Sequence, residues 1–289
     1  MFLIVPFMII LSQNTQALVD YSDTSIDSPK VANKSQIRLP EQSTSKSSLI
    51  WKSDLSFDTN YEMLEVGNSK VGLVNFDMHL QTPVNIFFDA SYWQANSSGP
   101  SKGNSSGNPK FILGFNWFKV GSPNDEAAVN LSAGMRLKSN SDLASSRDDK
   151  IFGVETTKKF GAFGLGLGYE YTISGDTTRA TDIAIGSMQR IEVSSGWIVS
   201  NDIQFELSIE NFKINPNNSP GTNRLNQEIT FSTIGPKLNL QIFKGVNFEL
   251  GARYQMKKAQ SSQDLVAMKL IDSHSLYSNS VYTGLNLSI

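Results

Sequence analysis

From Leu49 to Ile289 apolar and polar residues alternate in short runs. One run sets Trp51, Leu55, Phe57, Thr59, Tyr61 and Met63 against Lys52, Asp54, Ser56, Asp58, Asn60 and Glu62. A strand separates these two sets completely, because its successive side chains point to opposite faces. The sorting recurs: Val74, Phe76, Met78 and Leu80 oppose Asn75, Asp77, His79 and Gln81, and Val84, Ile86, Phe88, Ala90 and Tyr92 oppose Asn85, Phe87, Asp89 and Ser91. Further along, Val129 to Leu137, Phe163 to Ile173, Ile191 to Trp197, Ile203 to Glu210, Val246 to Lys257 and Ser280 to Ile289 behave alike. Residues 111–120, 150–158 and 226–242 alternate more weakly, and the last changes phase near Gly235-Pro236, where a bulge or kink is expected. No helical period appears, and the count is about twelve strands.

Alternation does not say which face is inside, because a soluble barrel or sandwich alternates too. The connections add a second regularity. Residues 81–83, 121–126, 159–161, 200–202 and 243–245 are short, whereas 94–109, 139–149, 174–187, 215–225 and 259–272 are long and polar; only the first hairpin, near Gly67-Asn68, breaks the order. Short turns on one side and long loops on the other are the habit of outer-membrane barrels. On the apolar face, aromatic residues gather near strand ends: Trp51, Tyr61, Tyr92, Phe111, Phe163, Tyr171, Trp197 and Tyr254. Such rings favour a lipid–water boundary. The polar face carries both signs of charge, from Asp54, Asp58 and Glu62 to Glu249, Arg253 and Lys257.

Composition narrows the reading. Hydrophobic residues are 39% of 289, and beyond the N-terminus no run is long enough for a membrane helix. A transmembrane barrel has this composition, since only alternate residues meet lipid. A net charge of −2 gives no pull towards nucleic acid. The absence of cysteine excludes thiol chemistry and disulfides. Phe2 to Leu11 has the length of a signal-peptide apolar region, and Thr15-Gln16-Ala17 offers small residues for cleavage after Ala17, although no Lys or Arg precedes the run. The expected organisation is a signal peptide over residues 1–17, a flexible polar segment over 18–47 and a barrel over 48–289. A buried N-terminal strand is the other reading of the first residues.

The ending Gly284-Leu285-Asn286-Leu287-Ser288-Ile289 resembles the C-terminal signal read by the barrel-assembly machinery of bacterial outer-membrane β-barrels, although that class usually ends in Phe or Trp. The chain thus resembles that broad, porin-like class over residues 49–289 without matching a specific family. The resemblance implies an all-β, closed, antiparallel, up-and-down transmembrane barrel in the bacterial outer membrane. It implies as partners outer-membrane lipid, the assembly machinery acting on the last strand, and small polar solutes. It implies no cofactor and no metal.

Candidate chemistry follows from the polar face. His274-Ser275 superficially matches the His and Ser of outer-membrane phospholipases, but alternation points the two residues to opposite faces, so no catalytic residue is assigned. Gly164, Gly166 and Gly168 have the wrong spacing for a phosphate loop and read as small residues on the inner wall. Asn124-Asp125-Glu126 and Asp148-Asp149 read as solvated turns rather than calcium sites. The candidate lumen-lining residues are Asp54, Asp58, Glu62, Asp77, Asp89, Arg136, Lys138, Glu170, Arg190, Glu206 and Arg253. Acids on the first three strands and bases at Arg136 and Lys138 suggest walls of opposite sign across a pore. The alternative is a set of salt bridges that seals the barrel. Three functions stay open: a channel for small polar solutes or ions, a non-conducting barrel whose loops bind a partner, and, least favoured, an outer-membrane hydrolase.

Overall fold

The computed structural model describes residues 54–66, 69–97, 104–122, 125–141, 144–180, 182–217, 223–257 and 279–289. The expected signal peptide and polar segment, Trp51, Asn124, and the His274-Ser275 pair all lie outside the described residues. The described residues form thirteen strands: β1 Asp54–Val66, β2 Ser69–Gln81, β3 Ile86–Ser97, β4 Asn104–Ser106, β5 Lys110–Val120, β6 Ala127–Arg136, β7 Asp149–Phe160, β8 Phe163–Ile173, β9 Met188–Ser200, β10 Ile203–Ile214, β11 Ile229–Phe243, β12 Val246–Gln255 and β13 Ser280–Ser288. Twelve form one antiparallel meander, closed by β1 on β13. The seam runs from Ser56↔Ser288 to Leu64↔Ser280, so the sheet keeps no edge. The short strand β4 only prolongs the pairing of β3 past the start of β5.

The break between β4 and β5 has a local cause. Trp93 points inward and its indole lies on Gly107, where a Cβ would stand 2.2 Å from Trp93 Cε2. Gly107 N–H still donates to Trp93 O at 2.8 Å. Turn chemistry closes the short hairpins: Gly121, Gly161 and Gly245 take positive φ, which glycine adopts without a Cβ penalty. Register shifts fall next to short turns, at Asn116/Phe118 and Gln241/Phe243 beside the Gly121 and Gly245 turns and at Ile203/Gln204 beside the β9–β10 turn. Bulges there tighten the twist at the rim.

The expected bulge at Gly235-Pro236 is not there. β11 stays in register with β10 from Ile229 to Leu240, and against β12 the same register holds on both sides of residues 235 and 236. Proline lacks an N–H, so pairing lapses locally without slipping. The change of phase in the sequence has another origin. Ile229 and Phe231 point inward, where Ile183, Ile185 and Leu225 from the long loops cover them together with Met188, Phe212 and Ile214. The described residues before β9 and before β11 pack onto this inner face and form a small apolar core there.

Candidate functional site

Inside the barrel the buried residues are mostly polar. Ser56, Asp58, Asn60 and Glu62 of β1 are buried, and Phe57, Tyr61 and Met63 between them are exposed. β13 repeats the pattern, with Ser280, Tyr282 and Asn286 inside and Val281, Leu285 and Leu287 outside. Two cavities of about 270 and 230 Å³ occupy the interior and share Ser91, Lys110, Glu170, Arg190 and Glu192 as wall residues. Space is made on one side by glycine: a Cβ on Gly168 meets only Glu192 Cβ, at 3.7 Å.

Cross-strand register arranges the charges. One row runs Asn286, Asp58, Asp77, Ser91, Lys110, Arg136, Asp149 through β13, β1, β2, β3, β5, β6 and β7. Because barrel strands tilt, a row perpendicular to them climbs the wall. Asp58 sits near the short-turn end of β1, and Lys110, Arg136 and Asp149 sit at the loop ends of their strands. A second group centres on Glu170, whose carboxylate accepts from Lys110 Nζ at 3.1 Å and lies 3.9 Å from Arg190. Arg190 also reaches Glu192 at 3.6 Å. In a third group Lys237 lies 3.1 Å from Glu206 and 3.8 Å from Glu249, while Asn239 donates to Glu206 at 3.2 Å. Glu62 is fully buried between Arg253 Nη1 at 2.8 Å and Ser280 Oγ at 2.5 Å, and Arg253 also lies over the Tyr282 ring.

Of the candidate residues, Asp58, Asp77, Arg136, Glu170, Arg190, Glu206 and Arg253 line the larger cavity, and Asp89 lines the smaller. Asp89 bonds His79 Nδ1 at 2.5 Å. Asp54 is half-buried at the first position of β1, and Glu62 sits behind Arg253 rather than at the cavity surface. Lys138 is a correction. β6 ends at Arg136, Lys138 is exposed in the following loop, and its backbone N–H donates to Asp148 Oδ1 at 2.8 Å. Lys110 and Lys237 also line the larger cavity; alternation does not single them out, because Lys110 falls between the polar connection 94–109 and the weak segment 111–120, and Lys237 falls in the weak segment 226–242. The acidic turns hold partner cations: Lys158 pairs with Asp125, Lys119 lies 2.8 Å from Glu126, and Arg147 lies 2.7 Å from Asp149. Burial raises the Glu126 carboxyl above its ordinary range, with Lys119 opposing, and burial lowers the Arg147 guanidinium, with Asp149 opposing. Among the described residues no group of three or more His, Asp or Glu is placed to hold a metal ion.

The loop-bearing rim is a built structure. Asn108 is buried; its amide donates to Leu137 O and Ser145 O at 2.7 Å, and its oxygen accepts from Ser145 N at 2.7 Å. Thr178 and Arg179 bond Ser146, and Arg179 also donates to Ser141 O at 2.9 Å. The loops 137–148 and 174–187 thereby interlock.

The outer surface settles the orientation that alternation left open. Leu113, Trp117, Val199 and Phe243 stand 58%, 66%, 67% and 70% exposed, and every barrel strand turns apolar side chains outward. Soluble monomers rarely expose apolar side chains on every strand in this way. At the short-turn rim Phe163, Trp197 and Phe205 form a chain of ring contacts at 5.2 and 5.6 Å, the placement of an interfacial aromatic girdle. The chain folds as a closed antiparallel β-barrel with its apolar face outward, the architecture of a transmembrane barrel. Solved structures show the same fold. An outer-membrane channel from Pseudomonas putida F1 superposes with a TM-score of 0.59 at 8% identity, over 86% of this chain and all of that one. The NanC porin superposes with a TM-score of 0.54 at 8% identity, over 81% of this chain and 98% of its own. No family model and no curated protein matches the sequence.

Proposed function

We propose that this barrel resides in the bacterial outer membrane and acts as a porin-like channel for small polar solutes or ions. The carrying observation is the interior: two adjoining cavities walled by carboxylates, ammonium and guanidinium groups, amides and hydroxyls, beside glycine-lined space. A barrel serving only as a scaffold has no need of polar-walled interior volume, and side chains fill small barrels of that kind. The fold shared with the P. putida channel and the NanC porin supports the reading as a likeness of architecture. Lys237–Glu206 lies along the wall between the neighbouring strands β10 and β11, whereas Lys110–Glu170 links β5 to β8 past two intervening strands.

The test is planar-bilayer recording of the refolded chain, with heat-modifiable gel mobility as the folding control. Discrete conductance steps from folded protein are expected. Folded protein that inserts without steps refutes the channel and moves the function to the interlocked loops.

A further inference from the structure

Two cavities in one lumen need something between them. Both are walled by Ser91, Lys110, Glu170, Arg190 and Glu192, so the boundary passes through these side chains. On three strands the boundary has a direction. Along β3, Trp93 towards the loops lines the larger cavity, Ser91 lines both, and Asp89 towards the short turns lines the smaller. Along β5, Lys110 at the loop end lines both, and Ile112, further towards the short turn, lines the smaller. Along β6, Arg136 at the loop end lines the larger and Ser132 the smaller. On this side of the barrel the cavities are stacked along the pore, and the shared side chains lie at the level where one gives way to the other.

The shared group is bonded across the lumen. Lys110 Nζ donates to Glu170 at 3.1 Å, Glu170 lies 3.9 Å from Arg190, and Arg190 lies 3.6 Å from Glu192. Glu170 and Arg190 are register partners on adjacent strands, but β6 and β7 separate β5 from β8. Neighbouring strands stand about 4.8 Å apart. The Lys110–Glu170 contact therefore covers three such steps, and inside a closed, curved sheet it runs as a chord rather than along the wall. The wall behind it is low, because Ser132, Gly153 and Gly168 face the smaller cavity there. Two long side chains thus stand clear of the backbone with space behind them. Both ends sit on paired strands, Lys110 opposite Ser91 and Arg136, and Glu170 opposite Gly153 and Arg190, so the bridge opens by side-chain rotation rather than by strand movement.

We infer that, given the channel reading above, the Lys110–Glu170–Arg190 bridge is an internal bar across the pore and sets the largest solute that passes. Bonds between ionised groups are shorter and stronger than neutral ones, so the bar is firm while both of its ends are charged. Among the described residues, the way past it is the part of the larger cavity walled by β10, β11 and β12, where Glu206, Lys237 and Glu249 stand. A solute must fit between that wall and the bridge. Without the bridge the two cavities become one.

The experiment is polymer exclusion: single-channel conductance of the inserted protein in KCl with polyethylene glycols of increasing size, where polymers small enough to enter lower the current. In K110A/E170A a several-fold higher conductance is expected, with entry by larger polymers than the unmodified protein admits. K213A/E228A removes a more exposed pair at the loop rim and leaves both readings unchanged. If the double variant fails to acquire heat-modifiable mobility, K110A alone leaves Glu170 its contact with Arg190 and gives a smaller shift in the same direction. The sequence has no cysteine, so K110C/E170C places two thiols at the ends of the bridge and nowhere else. Spanning them with a bifunctional thiol reagent returns the polymer limit towards that of the unmodified protein. A conductance and polymer limit unchanged in folded K110A/E170A or K110A overturn the inference and leave the channel standing. Folded, inserted, unmodified protein without current removes the channel, and the inference with it.

Discussion

At the scale of single residues, Glu62 shows how the interior holds charge. Its side chain is fully buried, and Arg253 and Ser280 from the far end of the chain both donate to it. Each charge-assisted bond of this kind contributes about 2 kcal/mol. Glu62→Ala removes both and is expected to lower the urea midpoint of the folded barrel in vesicles, whereas Glu62→Gln, which keeps an acceptor, loses less. Asn108 works the same way on backbone rather than charge. Asn108→Ala strands the Leu137 and Ser145 carbonyls and the Ser145 N–H in a buried place, at a cost of about 1–3 kcal/mol for each group left without a partner. The expected result is faster proteolytic nicking in the 137–148 loop with the barrel intact, read by mass spectrometry of the fragments. Gly168 acts by absence. Gly168→Leu fills open space at the cavity wall and is expected to reduce single-channel conductance without changing the folded gel mobility.

At the scale of strands and loops, the parity of nearly every strand was legible before any coordinate. A bilayer outside and water inside place opposite demands on alternate residues, and residues such as Phe57 and Asp58 answer them without ambiguity. What parity does not mark is where a strand stops. Alternation runs on through Leu137 and Lys138, but Leu137 N–H turns to Pro109 O and Asp148 takes the next N–H, so Lys138 leaves the wall. Nor does parity reveal a loop packed inside a barrel. Ile229 and Phe231 look out of phase only until Ile183, Ile185 and Leu225 are seen covering them. Lys110 was hidden similarly, beside Pro109 in what reads as polar connection. The aromatic chain at the short-turn rim is an element-scale device as well. Trp197 touches Phe163 and Phe205, and Trp197→Ala is expected to lower stability in vesicles by about 1 kcal/mol beyond its lost area.

At the scale of the whole molecule, one junction differs in kind from the rest. Each barrel strand pairs with a near neighbour in the chain, save β1 and β13, which meet across more than two hundred residues. The seam is close-fitting: a Cβ on Gly284 would stand 2.8 Å from Asn60 Cβ and 2.9 Å from Thr59 O. Gly284→Val is expected to keep the hairpins but hinder closure, seen as loss of the compact, heat-modifiable band. The unmodified chain faces the same problem in time. Contacts of such separation form last, because the loop entropy they cost is repaid only when the ends meet. Until then β1 and β13 are two raw edges, each a template for any other strand, including the same strand of a second molecule. Refolding is therefore a race between a first-order event, one barrel shutting on itself, and a second-order one, two half-built sheets zipping together. The yield of monomer should fall as protein concentration rises, and dilution or surplus lipid, which keeps chains apart, should restore it.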